Sequence, residues 1–140
     1  MQLSNSVSMS KDNRKNGRLC LIAESDPFLA RLLQRFAEKS GLRIQSACTG
    51  EDLLDMARRD GPALIILDPE LPGKLRGWQA VRALRANPAT DSIAILICSW
   101  LKKPEALALV GQMPAYLQKP DLRYEDFVTA LAAAGMQTPD

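Results

Sequence analysis

Four side chains suited to phosphate chemistry stand at the ends of four apolar runs. Leu19-Cys20-Leu21-Ile22-Ala23 leads to Glu24, and Ala63-Leu64-Ile65-Ile66-Leu67 leads to Asp68. Ile93-Ala94-Ile95-Leu96-Ile97-Cys98 leads to Ser99, and the short run Ala115-Tyr116-Leu117 leads to Lys119 and then Pro120. A carboxylate such as Asp68 can attack a phosphoryl group and form an acyl phosphate. Such transfer requires alignment and charge neutralisation more than covalent assistance. Mg²⁺ supplies neutralisation when one or two carboxylates hold it beside the phosphate. Glu24 is then an acid on the metal side, Lys119 a mobile positive charge for a phosphate oxygen, and Ser99 a hydroxyl for another. Taken singly, each residue is ordinary: an Asp at a strand end is commonly a cap or turn residue, and a Lys-Pro a solvated turn. The joint placement on four successive runs carries the functional reading.

The elements that would position these groups follow from the pattern. Continuous apolar runs of this length read as strands buried on both faces of a parallel sheet. Ligands of open parallel sheets sit beyond the carboxyl ends of the strands, so the four residues would converge on one sheet edge. Asp26 is an N-cap candidate and Pro27 suits the first turn of a helix. There, Phe28, Leu29, Leu32, Leu33 and Phe36 make one apolar face, and Gly41 ends the helix. A half-apolar strand over Arg43 to Cys48 belongs nearer a sheet edge. Thr49 caps a second helix, Glu51 to Arg59, which Gly61-Pro62 breaks. Strand three ends at Asp68, and the loop 69–77 leads to a third helix with Trp78, Val81 and Leu84 inward and Asn87-Pro88 as its stop. A fourth helix runs from Pro104 to about Met113. A fifth carries Tyr124, Phe127, Val128 and Leu131 at i, i+3, i+4 and i+7.

Composition narrows the classes. A chain of 140 residues suffices for one domain with a proper core. The net charge of +2 gives no argument for nucleic acid, and no apolar stretch is long enough for a membrane span. With no histidine, a histidine base, a histidine phosphocarrier and the usual zinc sites are excluded. Cys20, Cys48 and Cys98 match neither zinc nor redox spacing and read as small buried hydrophobes of a cytoplasmic protein. No glycine-rich nucleotide cradle is present. Residues 1–17, rich in Ser, Asn and Lys, read as a disordered tail; 18–135 as the folded domain; 136–140 as a short C-terminal tail.

Glu24-Ser25-Asp26-Pro27, Leu67-Asp68-Pro69-Glu70-Leu71-Pro72-Gly73, Ile97-Cys98-Ser99 and Tyr116-Leu117-Gln118-Lys119-Pro120 together resemble the receiver domain of bacterial response regulators, over about residues 18–135. The resemblance implies a flavodoxin-like (βα)5 fold, a doubly wound parallel sheet of strand order 2-1-3-4-5. It implies that Asp68 is the phosphoacceptor, Lys119 the phosphate-binding lysine, Ser99 the switch hydroxyl and Tyr116 the aromatic that moves with it. The implied metal is Mg²⁺, weakly held by Glu24, Asp68 and the Glu70 backbone carbonyl. Implied partners are a sensor histidine kinase and a downstream protein on the face of helix 4, strand 5 and helix 5, around Leu107, Val110, Tyr116 and Tyr124; a homodimer is also compatible.

Four departures stand out. Ser25 replaces the aspartate that binds the metal directly in the family, and a neutral hydroxyl is a poor ligand for a hard dication. Pro69, after the acceptor, has no N–H to donate. The loop to Gly77 is one residue longer than usual. Trp100 follows the switch serine where a small residue is customary, and its ring would crowd the phosphate. Two main functions are therefore expected: a phosphoacceptor acting through protein contacts rather than as an enzyme, or a pseudo-receiver that keeps the fold as an interaction module. A small-molecule binder on the same fold is a third, without a ligand motif. Since the chain ends after the fifth helix, output through another protein is expected.

Overall fold

A computed structural model describes residues 18–113 and 115–136. Five strands, β1 (Arg18–Ala23), β2 (Leu42–Ser46), β3 (Leu64–Leu67), β4 (Ala94–Ser99) and β5 (Tyr116–Gln118), alternate with five helices. The helices are α1 (Pro27–Lys39), α2 (Gly50–Asp60), α3 (Gly77–Arg85), α4 (Lys103–Val110) and α5 (Tyr124–Ala133). All strand pairs are parallel and the order is β2-β1-β3-β4-β5, as expected from the sequence.

Period-two alternation sorts each strand's side chains between two cores. Leu19, Leu21, Ile65, Leu67, Ile95 and Ile97 face Leu53, Ala57, Val81, Leu84, Ala106 and Val110 of α2, α3 and α4. Cys20, Ile22, Leu64, Ile66, Leu96 and Leu117 face Leu33, Ala37, Phe127 and Leu131 of α1 and α5. Both faces of the sheet are thus covered, which is why β1, β3 and β4 are apolar throughout. Each fully buried Leu or Ile contributes about 1.5–3 kcal/mol relative to exposure. β2 has one covered flank and reads accordingly: of Leu42 to Ser46 only Leu42 is buried.

Local signals set the helix ends. Asp26 Oδ1 accepts from the Phe28 and Leu29 N–H groups at 2.8 and 3.2 Å, and Thr49 Oγ1 accepts from Asp52 N–H at 3.1 Å. Gly61 closes α2 with φ 55°, where an L side chain would be strained.

The structure corrects several expectations. Phe28 does not join the buried face of α1: at the second position of the helix it is 77% exposed, while its neighbour Leu29 is buried. Cys48 is exposed, since β2 ends at Ser46 and the chain has already turned toward α2. The fourth helix stops at Val110, and Gly111 with φ 89° ends it short of Met113. Val110 is 3% exposed, so it belongs to the core and not to an outer face. Met136, assigned to the C-terminal tail, is buried against the α1–α5 core; residues 1–17 and 137–140 lie outside the described residues.

Candidate functional site

Strand register brings the four sequence-selected residues to one edge. Ala23 pairs with Leu67 and Leu67 with Ile97, so Glu24 and Asp68 leave neighbouring strands at the same level. Asp68 N–H still donates to Ala23 O at 3.1 Å, and Lys119 N–H to Ser99 O at 2.8 Å. The backbone at Asp68 and Lys119 is thereby fixed by the sheet ladder itself. The peptide bond between Lys119 and Pro120 is cis.

Lys119 Nζ is the centre of the crevice. It donates to Asp68 Oδ2 at 2.6 Å and lies 2.6 Å from Glu24 Oε1; that second contact is an ion pair set off the hydrogen-bonding direction. Asp68 and Lys119 are buried, as is the Glu24 side chain. Burial works against the ammonium's charge, yet its contacts with Asp68 and Glu24 outweigh that and hold Lys119 above the ordinary lysine value. The remaining carboxylate oxygens are held by backbone. Asp68 Oδ1 accepts from Glu70 N–H at 2.8 Å, and Glu24 Oε2 from Asp26 N–H at 2.9 Å. The donor that Pro69 lacks is thus supplied one residue later.

Ser99, fully buried, accepts from Leu101 N–H at 3.0 Å. The hydroxyl of half-buried Tyr116 donates to the Leu101 carbonyl, so Ser99 and Tyr116 grip the same loop from two sides. Trp100 between them is 54% exposed, and Lys119 Nζ lies 5.9 Å from its ring centroid. The indole therefore flanks the crevice, as its position after Ser99 suggests. Cys98 lines the strand below, and burial pushes its thiol up to about 12, so it is inert.

On the β1 side the arrangement is thinner. Ser25 and Asp26 are exposed, and the Asp26 side chain is committed to capping α1. No cluster of three or more acidic, Cys or His side chains suited to a metal occurs among the described residues. The groups that would hold a metal here are all oxygen: the Glu24 and Asp68 carboxylates, which meet at Lys119, with the Glu70 carbonyl that the resemblance adds. Such a set fits a hard dication that keeps several of its waters.

Two residues that brace the 69–77 loop escaped the sequence reading. The Glu51 carboxylate accepts from the Lys74 and Leu75 N–H groups at 3.4 and 3.3 Å, tying the loop after β3 to the start of α2. Its pKa is lowered chiefly by its own backbone N–H, with the Leu75 and Lys74 amides and the Thr49 hydroxyl adding to outweigh an opposing desolvation. Arg76 reaches back to the loop carbonyls, donating from Nη2 to Glu70 O at 3.2 Å and from Nε to Leu71 O at 3.3 Å. Its guanidinium cannot accept, so it offers α3 no side-chain N-cap. The residue after it must be glycine, because a Cβ at Gly77 would collide with the Asp68 carbonyl. That close approach was the one readable signal: a Gly at the start of a helix that follows a strand-end acid.

A five-stranded 2-1-3-4-5 sheet with an acid, a lysine and a hydroxyl at its carboxyl edge defines a class of signalling domain. Residues 20–132 match the response regulator receiver domain model, and the chain belongs to that family. It is 31% identical over 103 residues to protein PilH of Pseudomonas aeruginosa, covering 71% of this chain and 84% of that protein. It is also 31% identical over 100 residues to the alkaline phosphatase synthesis transcriptional regulatory protein PhoP of Bacillus subtilis. That match takes in 71% of this chain but only 41% of PhoP. Among solved structures, the receiver domain of a Pseudomonas aeruginosa sensor histidine kinase aligns with a TM-score of 0.71 at 24% identity. The alignment covers 84% of this chain and 98% of that one, whose active-site cleft coordinates a magnesium ion. At that identity the likeness speaks for the fold. No helix among the described residues is long and apolar enough to cross a membrane.

Proposed function

We propose that the chain is a phosphoacceptor receiver in a two-component pathway, taking a phosphoryl group on Asp68 from a sensor histidine kinase in the cytoplasm. The observation that carries this reading is the buried contact of 2.6 Å between Lys119 Nζ and Asp68 Oδ2. A carboxylate oxygen of Asp68 forms the new bond to phosphorus while the bond to the donor's imidazole nitrogen breaks, leaving the donor histidine neutral after proton exchange. Lys119 stays within reach of the oxygens that gain charge. Glu24, Asp68 and the Glu70 carbonyl would hold Mg²⁺, which neutralises the transferring group; Ser25 adds little, and the affinity is low. Ser99 is the hydroxyl that can turn to the new phosphoryl group, and Tyr116 follows because both are bonded to Leu101.

The downstream protein binds the face of α4, β5 and α5. Leu107 is exposed there, whereas Tyr124 is half-buried with its hydroxyl on Ser40 Oγ; with Val110 in the core, contact falls on Leu107 and its exposed helix neighbours. Substitution at Leu107 should impair capture of a phosphorylation-dependent partner while leaving the fold intact.

The test is to incubate the protein with acetyl phosphate and Mg²⁺ and to weigh it intact. One phosphoryl adduct is expected, absent in Asp68→Asn. No adduct at any Mg²⁺ concentration would return the chain to the interaction-only reading.

A further inference from the structure

We infer that Arg76 is a resident competitor of the divalent cation, lowering Mg²⁺ affinity through the Glu70 carbonyl; this rests on the functional reading above. The Arg76 guanidinium holds Glu70 O at 3.2 Å and Leu71 O at 3.3 Å. A carbonyl oxygen has two lone pairs. Arg76 takes one at the only backbone oxygen of this loop assigned to the metal, and sets a permanent positive charge one hydrogen bond from it. A guanidinium stays protonated at any working pH, so the competition has no pH release.

The local charges support this. Glu24 and Asp68 already share one ammonium, Lys119, at 2.6 Å from each. Arg76 brings a second cation to the Glu70 carbonyl, Ser25 contributes no charge, and the further carboxylates at this edge, Asp26 and Glu70, are exposed to solvent. A dication entering this edge therefore meets a weaker attraction than Glu24 and Asp68 alone would give. The long loop makes the contact feasible. Leu71 N–H donates to Asp68 O at 3.0 Å and Gly77 N–H to Leu71 O at 3.0 Å, so the loop doubles back and puts Arg76 over the carbonyls that follow the acceptor. Ser25 and Arg76 thus weaken the same metal position from two sides: one removes a ligand, and the other holds a fixed positive charge against one.

The test compares Mg²⁺ titrations of the parent, Arg76→Gln and Arg76→Lys, followed by tryptophan emission without any phosphoryl donor. Arg76 is exposed, so its variants should fold, which metal-free thermal unfolding checks; Arg76→Ala serves as a second neutral variant. Arg76→Gln and Arg76→Ala should tighten Mg²⁺ binding about fivefold or more, and Arg76→Lys, which keeps the charge, by no more than about twofold. Unchanged or weaker binding in the two neutral variants would overturn the inference, leaving the guanidinium only a brace for the loop. Equal tightening in Arg76→Lys would also overturn it, because the fork rather than the charge would then be responsible. Phosphorylation of the parent at saturating Mg²⁺ is measured separately, so the functional reading and this inference can fail independently.

Discussion

On the β3, β4 and β5 flank of the crevice, Asp68, Ser99 and Lys119 are 6%, 0% and 4% exposed, and their backbones are held by the ends of the sheet ladder. On the β1 flank, Ser25 and Asp26 are exposed, and only the Glu24 side chain turns in. The β3–β5 flank is built into the core, where any change of residue disturbs packing and buried charge together. The β1 flank is built on loop and first-turn positions, where a residue such as Ser25 can change without disturbing the fold. On the functional reading proposed above, phosphoryl-handling geometry is therefore the harder of the two to alter, and metal chemistry the easier.

The sharpest difference between the flanks should appear in stability. Lys119→Met leaves Glu24 and Asp68 facing each other in a buried site without a counter-charge. It should cost about 3–5 kcal/mol, read from denaturant unfolding, whereas Ser25→Ala should stay within about 0.5 kcal/mol. A small cost at Lys119 would mean that water solvates the crevice and that the flanks are alike. Because the folded-state pKa of Lys119 is raised, its contribution is complete below the ordinary lysine value of 10.5. It is lost only as pH rises through the higher folded value, so alkaline unfolding should move to lower pH in Lys119→Met.

Thiol chemistry gives an all-or-none contrast of smaller energetic weight. In the native protein a thiol reagent at neutral pH should modify exposed Cys48 and spare Cys20 and Cys98, whose pKa values are raised by burial. Peptide mapping of the alkylated protein checks this, and modification of Cys98 would show that the floor of the β3–β5 flank opens to solvent.

A weaker effect concerns the loop clamp. The pKa of Glu51 is lowered from 4.5, so its hold on Lys74 and Leu75 is complete above that value and fades as pH falls through the folded value. Amide exchange at Lys74 and Leu75, corrected for intrinsic rates, should accelerate in acid in the parent. In Glu51→Gln it should be fast throughout and independent of pH.

The sheet and its four terminal residues were legible because each apolar run carries its own polar terminator, and register then does the rest. The helix faces were legible at Leu29, Leu33, Val81, Leu84, Phe127 and Leu131, where the helical period meets a covered face. Phe28 and Cys48 were not, since a period gives the direction of a side chain but not where the neighbouring element stops. Val110 was misplaced for the converse reason: α4 is apolar nearly all round, so its pattern does not say which side is covered. Glu51 and Arg76 were illegible because their contacts depend on the path of the 69–77 loop, which neither propensity nor spacing fixes.

The most direct test of the unequal flanks is the Mg²⁺ dependence of phosphorylation by acetyl phosphate in the parent and in Ser25→Asp, scored by intact mass. The two proteins should reach the same full single adduct, because Asp68 and Lys119 are unchanged. Ser25→Asp should need at least about tenfold less Mg²⁺ for half its rate. Equal Mg²⁺ demand would contradict the account, showing that the β1 flank already binds the metal as well as a complete acidic pair.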